Sequence, residues 1–128
     1  MNILLDTQAL ILAGNNHLPP KAKKAYLDPQ NTVYFSLVSL WEIGIKVALG
    51  KLDFKLKLSA YHDLLLEKVG LLELPLDLRH IEKAVGLPFH HKDPFDRLLI
   101  GQALTQKLAV MASDEIYSRY GCTCIWNE

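Results

Sequence analysis

The sequence has no excess of charge of either sign, because 14 lysine and arginine residues balance 14 aspartate and glutamate residues. This balance argues against a protein that binds nucleic acid through bulk positive charge. It does not argue against an enzyme that binds nucleic acid locally, through a metal ion and a few lysines.

Cysteine is also scarce, since only Cys122 and Cys124 occur among 128 residues. No histidine lies near them at the spacing of a zinc site, so we expect two reduced thiols in a strand. No apolar run approaches the roughly 20 residues that a membrane-spanning helix requires. The first residues lack the basic and apolar regions of a signal peptide. These absences predict a cytoplasmic protein without a membrane segment.

Short apolar segments alternate with helical segments along the sequence, and no repeat or linker separates them. The length and the 50% hydrophobic content predict one domain over residues 1–128. We predict strands at residues 2–5, 32–36, 71–74, 108–111 and 122–126. We predict helices at residues 7–14, 19–27, 38–49, 59–69, 77–85, 93–107 and 115–120. This alternation predicts an α/β fold in which a parallel sheet of short strands lies between helices.

Two aspartates follow predicted strands and therefore lie at the edge of the sheet where ligands bind. Asp6 follows the strand at 2–5, and Asp114 comes shortly after the strand at 108–111. Each aspartate also precedes a predicted helix, so an N-cap role is an alternative for both. Two acids at the same edge favour a functional site over two unrelated caps.

Glu42 lies in a predicted helix, residues 38–49, that is apolar on nearly every face. The other charge in this helix is Lys46, four residues later, so an i,i+4 ion pair is the alternative explanation. Such a pair contributes only about 0.2–0.5 kcal/mol at a surface. A charge inside an apolar helix needs stronger compensation, and a metal ion is the better explanation for Glu42.

Two further acids lie at the start of the predicted helix at 93–107. Asp93 is placed as its N-cap, and Asp96 lies in the first turn, where an acid also favours the helix dipole. Asp96 is in line with the apolar stripe of Leu99, Ile100 and Ala103, whereas an exposed capping acid should point away from it. Asp93 therefore fits the cap, and Asp96 fits a functional site.

Carboxylate oxygens are hard ligands that suit Mg²⁺ or Mn²⁺, and closely spaced carboxylates cannot all stay ionised without a cation. The sequence has no His–Cys cluster that would indicate zinc. We interpret His90 and His91 as residues of a solvated loop, and a role in the site is the alternative, because histidine often ligates or titrates at functional positions. The sequence also contains no nucleophile elbow, Walker phosphate loop or dinucleotide fingerprint.

Four segments, in this order, resemble the PIN-domain ribonucleases, and most closely the VapC-like toxins of type II toxin–antitoxin pairs. They are residues 2–7 (Asn-Ile-Leu-Leu-Asp-Thr), 39–46 (Ser-Leu-Trp-Glu-Ile-Gly-Ile-Lys), 93–100 (Asp-Pro-Phe-Asp-Arg-Leu-Leu-Ile) and 112–114 (Ala-Ser-Asp). The second and third segments in combination are the most specific. The resemblance covers the whole chain and implies a three-layer α/β/α sandwich with a central parallel sheet.

The resemblance also implies a function. Four acids would bind one or more Mg²⁺ or Mn²⁺ ions: Asp6, Glu42, Asp96 and Asp114. It implies endonucleolytic cleavage of RNA by a toxin, inhibition by a cognate VapB-like antitoxin, and a homodimer. The alternatives are a PIN-like module that binds a partner without cleaving anything, and a metal-dependent phosphoesterase or DNA nuclease.

Several neighbouring residues are candidates for supporting roles. Thr7 and Ser113 are candidate hydrogen-bond donors, and Lys46 and Arg97 are candidates for positioning an acid or contacting phosphate. The segment 46–57 contains several lysines and a single acid, which indicates either an RNA-facing patch or a solvated turn. Its lysines are Lys46, Lys51, Lys55 and Lys57.

Two positions depart from the family pattern. Gln8 stands where the family often has His, Asn or Ser, and Ala112 stands where many members have Thr. Neither departure removes a metal ligand, but both change groups that would orient the ligands.

Overall fold

Short parallel strands form the centre of the structure, a computed structural model that describes residues 1–127. In those residues there are five strands: β1 (Asn2–Leu5), β2 (Thr32–Ser36), β3 (Leu72–Leu74), β4 (Ala109–Met111) and β5 (Cys124–Ile125). They form one sheet in the order β3-β2-β1-β4-β5, and each neighbouring pair is parallel. The predicted parallel sheet is confirmed, although β5 is shorter than the strand predicted at 122–126.

Helices connect these strands close to the predicted positions. In residues 1–127 they are α1 (Thr7–Gly14), α2 (Pro20–Leu27), α3 (Leu37–Ala48), α4 (Leu58–Leu64), α5 (Leu78–Gly86), α6 (Pro94–Gln106) and α7 (Ile116–Arg119). The helix predicted at 59–69 changes partway, because α4 continues as a π-helical turn, Leu65–Val69. The apolar pattern does not distinguish these two helix types.

Both faces of the sheet are buried, which explains the apolar strands. Ile3 and Leu5 point into one core with Phe35, and this core also contains side chains of α1, α2 and α4. Leu4 and Val110 point into a second core that α6 and α7 help to form. The alternation of side chains along each strand thus supplies both cores, and the predicted three-layer arrangement is confirmed.

Two further expectations from the sequence concern membrane-spanning segments and the two cysteines. No helix in residues 1–127 is both long enough and apolar enough to cross a membrane. Both cysteines are free thiols as predicted, but only Cys124, which is exposed, lies in β5, whereas the buried Cys122 precedes this strand.

The strand order reverses at β1, because β2 pairs with one side of it and β4 with the other. A crevice forms at such a reversal, beyond the carboxyl ends of the strands, and is the usual ligand position in open α/β sheets. Asp6 immediately follows β1 here, and its backbone N–H donates to the carbonyl of Met111 at 3.1 Å. The sheet therefore fixes the backbone of Asp6 at this crevice.

A close approach of α5 and α6 gives a test of the packing. A Cβ atom on Gly101 of α6 would lie 2.7 Å from the carbonyl oxygen of His80 in α5. We expect Gly101→Ala to lower the free energy of unfolding by about 1–3 kcal/mol, since backbone must shift to admit the methyl group. Urea unfolding measures this change.

Gly14→Ala is the matched control, because no atom lies within 4 Å of the Cβ it would gain. This variant should be neutral or gain up to about 1 kcal/mol from the lower entropy of the unfolded chain. Equal effects of the two substitutions would contradict the close packing of α5 on α6.

Candidate active site

A cavity of about 390 Å³ lies beside the ends of β1 and β4, and all four predicted acids line it. Its lining residues are Asp6, Thr7, Gln8, Ile11, Leu12, Glu42, Lys46, Asp93, Asp96, Asp114 and Tyr117. The lining thus contains five acids and a single lysine, so its net charge is strongly negative when the acids are ionised.

Asp6 is both a helix cap and a buried acid of the cavity. Its Oδ1 accepts a hydrogen bond of 2.7 Å from the backbone N–H of Ala9, which caps α1. The residue is only 6% exposed. Burial raises the pKa of Asp6 to about 7, with further repulsion from Asp96, Glu42 and Asp114 partly offset by the Ala9 bond. The carboxylate is therefore held in place in an environment that disfavours its charge.

Glu42 is buried on α3, and its two oxygens differ in their surroundings. Oε2 lies 2.9 Å from Nζ of Lys46, so the i,i+4 ion pair exists and Lys46 positions the acid. Oε1 is buried and, in the described part of the chain, is the one buried side-chain polar atom without a hydrogen-bond partner. A buried acceptor without a partner is costly, so the ion pair alone does not explain this residue.

Asp96 is held by two donors that the sequence does not indicate. The hydroxyl of Tyr117 donates to Oδ1 at 3.0 Å, and Nε2 of His91 lies 2.8 Å from Oδ2. Burial raises the pKa of Asp96, and the contact with His91 opposes this shift. His91 lies in a loop but is partly buried and contacts Asp96, which favours the alternative of a role in the site, whereas His90 is exposed as predicted.

The remaining acids are partly engaged as caps. Oδ1 of Asp93 accepts from the backbone N–H groups of Phe95 and Asp96, at 2.9 and 3.0 Å, which confirms its predicted N-cap role. Asp93 nevertheless also lines the cavity. Asp114 is exposed, and its Oδ1 accepts from the backbone N–H of Ile116 at 2.9 Å. Both acids keep a second oxygen that these caps do not use.

The closest set of metal-ligand atoms differs from the predicted set. Within residues 1–127, one group of three such side chains has ligand atoms all within 4.8 Å of one another, namely His91, Asp93 and Asp96. The four predicted acids share the cavity but do not approach to this distance as a set. Asp96 belongs to both arrangements.

Arg97 is buried and does not line the cavity, so of its two candidate roles the structure favours positioning over a contact with phosphate. The residue is 7% exposed, and its guanidinium donates to the carbonyls of Ala84, Leu87 and Pro88 at 2.8–3.0 Å. It also donates to the carbonyl of His91 at 3.1 Å. Arg97 therefore fixes the loop that precedes α6, and with it the position of His91.

Thr7 and Ser113 are hydrogen-bond donors as expected, and in residues 1–127 their acceptors are other polar side chains and not the four acids. The Thr7 hydroxyl donates to Oγ of Ser39 at 3.0 Å, which ties α1 to α3 one turn before Glu42. The Ser113 hydroxyl donates to Oε1 of Gln8 at 2.8 Å. Gln8, one of the two departures from the family pattern, thus links the segments that follow β1 and β4.

We compared the chain with protein-family models and with solved structures. A family model described as PIN domain matches residues 3–121. In structure the chain is similar to VapBC2 from Rickettsia felis bound to a promoter DNA fragment, with a TM-score of 0.70 and 17% identity over 99% of this chain and 98% of that chain. It is similar to FitAcB from Neisseria gonorrhoeae, with a TM-score of 0.64 and 22% identity over 95% of each chain.

A toxin–antitoxin complex from Klebsiella pneumoniae is also similar, with a TM-score of 0.56 and 17% identity over 88% of this chain and 87% of that chain. Identities this low show a shared fold alone. No curated protein matches the chain.

The raised pKa of Asp6 predicts a stability that falls with rising pH when no metal is present. The pKa is about 7 in the folded chain and about 3.9 in an unfolded one, so the folded state binds the extra proton between these values. The stabilising contribution of this proton is complete below about pH 4 and is lost as the pH rises through 7.

We expect Asp6→Asn to remove this loss, because asparagine caps a helix about as well as aspartate and carries no charge. In a chelating buffer at pH 8, the variant should unfold with a free energy up to about 4 kcal/mol higher than the wild type. At pH 4 the two should differ little. Urea unfolding between pH 4 and 8 measures this, and a wild type more stable than the variant at pH 8 would contradict the burial of an ionised Asp6.

Proposed function

This chain belongs to the PIN domain family, and on that premise we propose that it is a metal-dependent endoribonuclease. Its catalytic carboxylates are Asp6, Glu42, Asp96 and Asp114. The observation that most directly supports this proposal concerns Glu42, which lines the cavity together with the other three acids. Its Oε1 is buried and has no hydrogen-bond partner among residues 1–127.

The donor set of the cavity fits a hard divalent cation. Carboxylate oxygens prefer Mg²⁺ and Mn²⁺, and the lining offers many such oxygens against one lysine. A cation held by Asp6, Glu42, Asp96 and Asp114 would give Oε1 of Glu42 a partner. It would also favour the ionised form of Asp6, whose pKa is raised by burial and, to a smaller extent, by repulsion from the other acids. When bound, such an ion supplies Lewis acidity toward the scissile phosphate and an activated water.

The remaining groups of the cavity orient these acids. Lys46 fixes one oxygen of Glu42, and Tyr117 donates to one oxygen of Asp96. Lys51, Lys55 and Lys57 are exposed in the segment that follows α3, beyond Lys46. We assign these lysines to contacts with the RNA backbone, since a local group of positive charges attracts phosphates.

The same proposal includes the biological role. The structurally similar Klebsiella pneumoniae protein is described as part of a toxin–antitoxin complex. We assign this chain to the toxin half of such a pair, as a cytoplasmic homodimer inhibited by a VapB-like antitoxin. Large apolar side chains exposed on this chain supply surface for these partners, among them Leu27 at 63%, Val85 at 72% and Phe89 at 77%.

Removing one carboxylate tests the cleavage directly. We expect Glu42→Gln and Asp96→Asn each to lower the rate of Mg²⁺- or Mn²⁺-dependent RNA cleavage by at least about 100-fold, since each substitution removes a ligand charge. Gel analysis of a structured RNA, single-stranded DNA and a small phosphoester measures the rate and separates a ribonuclease from a DNA nuclease or phosphoesterase.

Glu82→Gln is the matched control, because Glu82 is exposed on α5 and does not line the cavity. It should cleave RNA at the wild-type rate. Full activity of Asp96→Asn would refute the assigned site, and an inactive wild type that still binds an antitoxin would favour a silent binding module.

Metal binding also has a readout that is independent of cleavage. At a free Mn²⁺ concentration 100-fold above Kd, binding should stabilise the folded chain by about 2.7 kcal/mol, which raises Tm by roughly 10 °C. Glu42→Gln should lose most of this increase, whereas Glu82→Gln should keep it. Thermal melting with and without a chelator measures the change, and an equal increase in both variants would count against Glu42 as a ligand.

A further inference from the structure

We propose that His91 is a nitrogen ligand of a divalent transition-metal position that it forms with Asp93 and Asp96 at the edge of the cavity. His91 and Asp93 lie outside the set of four acids that the family resemblance implies. The inference rests on the proposed function, because Asp96 would serve both this position and the catalytic acids. Its consequence is a preference for Mn²⁺ over Mg²⁺.

The spacing of these side chains suits one cation. Nε2 of His91 and Oδ2 of Asp96 lie 2.8 Å apart. Two ligands at right angles on a cation, with bonds of about 2.1 Å, lie about 3 Å apart. The present hydrogen bond therefore has nearly the separation of two neighbouring metal ligands. Asp93 completes the set, since ligand atoms of all three side chains lie within 4.8 Å of one another.

The set is rigid, which a metal position requires. Oδ1 of Asp93 is fixed by two backbone N–H groups of α6, so its other oxygen has a defined place. The backbone of His91 is held on both sides, because Arg97 donates to its carbonyl and its N–H donates to the hydroxyl of Tyr120 at 3.0 Å. The buried guanidinium of Arg97 thus helps to fix the backbone of His91, whose imidazole contacts Asp96.

A second observation points to a cation in the same cavity. The side chain of Glu42 is 9% exposed, its Oε1 has no hydrogen-bond partner in the described chain, and it lines the cavity together with Asp93 and Asp96. Glu42 is on α3, whereas the proposed ligands precede or begin α6. The unpartnered oxygen is therefore independent of the contacts within the histidine group.

The imidazole determines which ion this position prefers. Mg²⁺ is bound almost entirely by oxygen, whereas an imidazole nitrogen favours first-row transition metals in the order Mn²⁺ < Fe²⁺ < Co²⁺. A histidine with two carboxylates should bind Mn²⁺ more tightly than Mg²⁺, and loss of the histidine should reduce this preference.

Pulsed EPR of Mn²⁺ bound to the metal-stripped full-length chain tests the inference, because ¹⁴N modulation reports a directly bonded nitrogen. We expect ¹⁴N modulation in the wild type and in His90→Ala, the adjacent exposed histidine, and none in His91→Ala or His91→Gln. Titration calorimetry should show a Kd for Mn²⁺ raised about 10- to 100-fold in the His91 variants, with a smaller change for Mg²⁺.

Absence of ¹⁴N modulation from the wild type, or its persistence in both His91 variants, would overturn the inference whatever the folding of the variants. RNA cleavage by the same preparations separates this failure from that of the proposed function. A wild type that binds Mn²⁺ through oxygen alone and cleaves RNA keeps the nuclease proposal and rejects His91. A wild type with ¹⁴N modulation that cleaves no substrate supports His91 and rejects the nuclease.

Discussion

Carboxylates buried in one cavity repel one another, and holding them in place determines much of the structure around them. Asp6 is held by a backbone N–H at the start of α1, Glu42 by Lys46, and Asp96 by Tyr117. These supports come from separate elements that the reversal of strand order at β1 brings to one crevice. The parallel sheet is thus the frame that keeps unfavourable charges close together.

The rigidity of the crevice depends partly on the guanidinium of Arg97, which does not line the cavity. Asp96 and Arg97 are adjacent on α6, yet a helix turns about 100° per residue, so their side chains point in different directions. Asp96 lines the cavity, whereas Arg97 is buried and donates to carbonyls of the segment between α5 and α6. The donors of this buried guanidinium are taken up by carbonyls of the loop, so Arg97 stabilises the loop beside the site and does not line the cavity itself.

The sequence predicted the fold that positions the site better than it predicted the side-chain contacts within the site. Strands that are apolar on both faces and helices with clear caps follow from local rules, so the fold and the cap role of Asp93 were predictable. The partners of Asp96 were not predictable from the sequence. Tyr117 lies in α7 and His91 in the loop before α6, and only the packing of these two segments brings both side chains to Asp96. Tyr117 comes three residues after Asp114, so its place in the first turn of a short helix beside the site was the one available signal.

Neither helix capping nor packing explains why positions 6 and 42 carry acidic side chains. Asp6 makes a helix-cap bond, but asparagine would cap α1 about as well without a buried charge. Burial raises the pKa of Asp6 to about 7, so ionisation of this group at neutral pH and above lowers the free energy of unfolding. Glutamine at position 42 would likewise fill nearly the same volume, with a neutral amide in place of a carboxylate that has one oxygen without a partner among residues 1–127. A positively charged ligand would compensate the buried charge of Asp6 and would give the free oxygen of Glu42 a partner. Helix capping and the ion pair with Lys46 leave both of these needs unmet, which is why the cavity supports the proposed metal site better than a set of structural caps does.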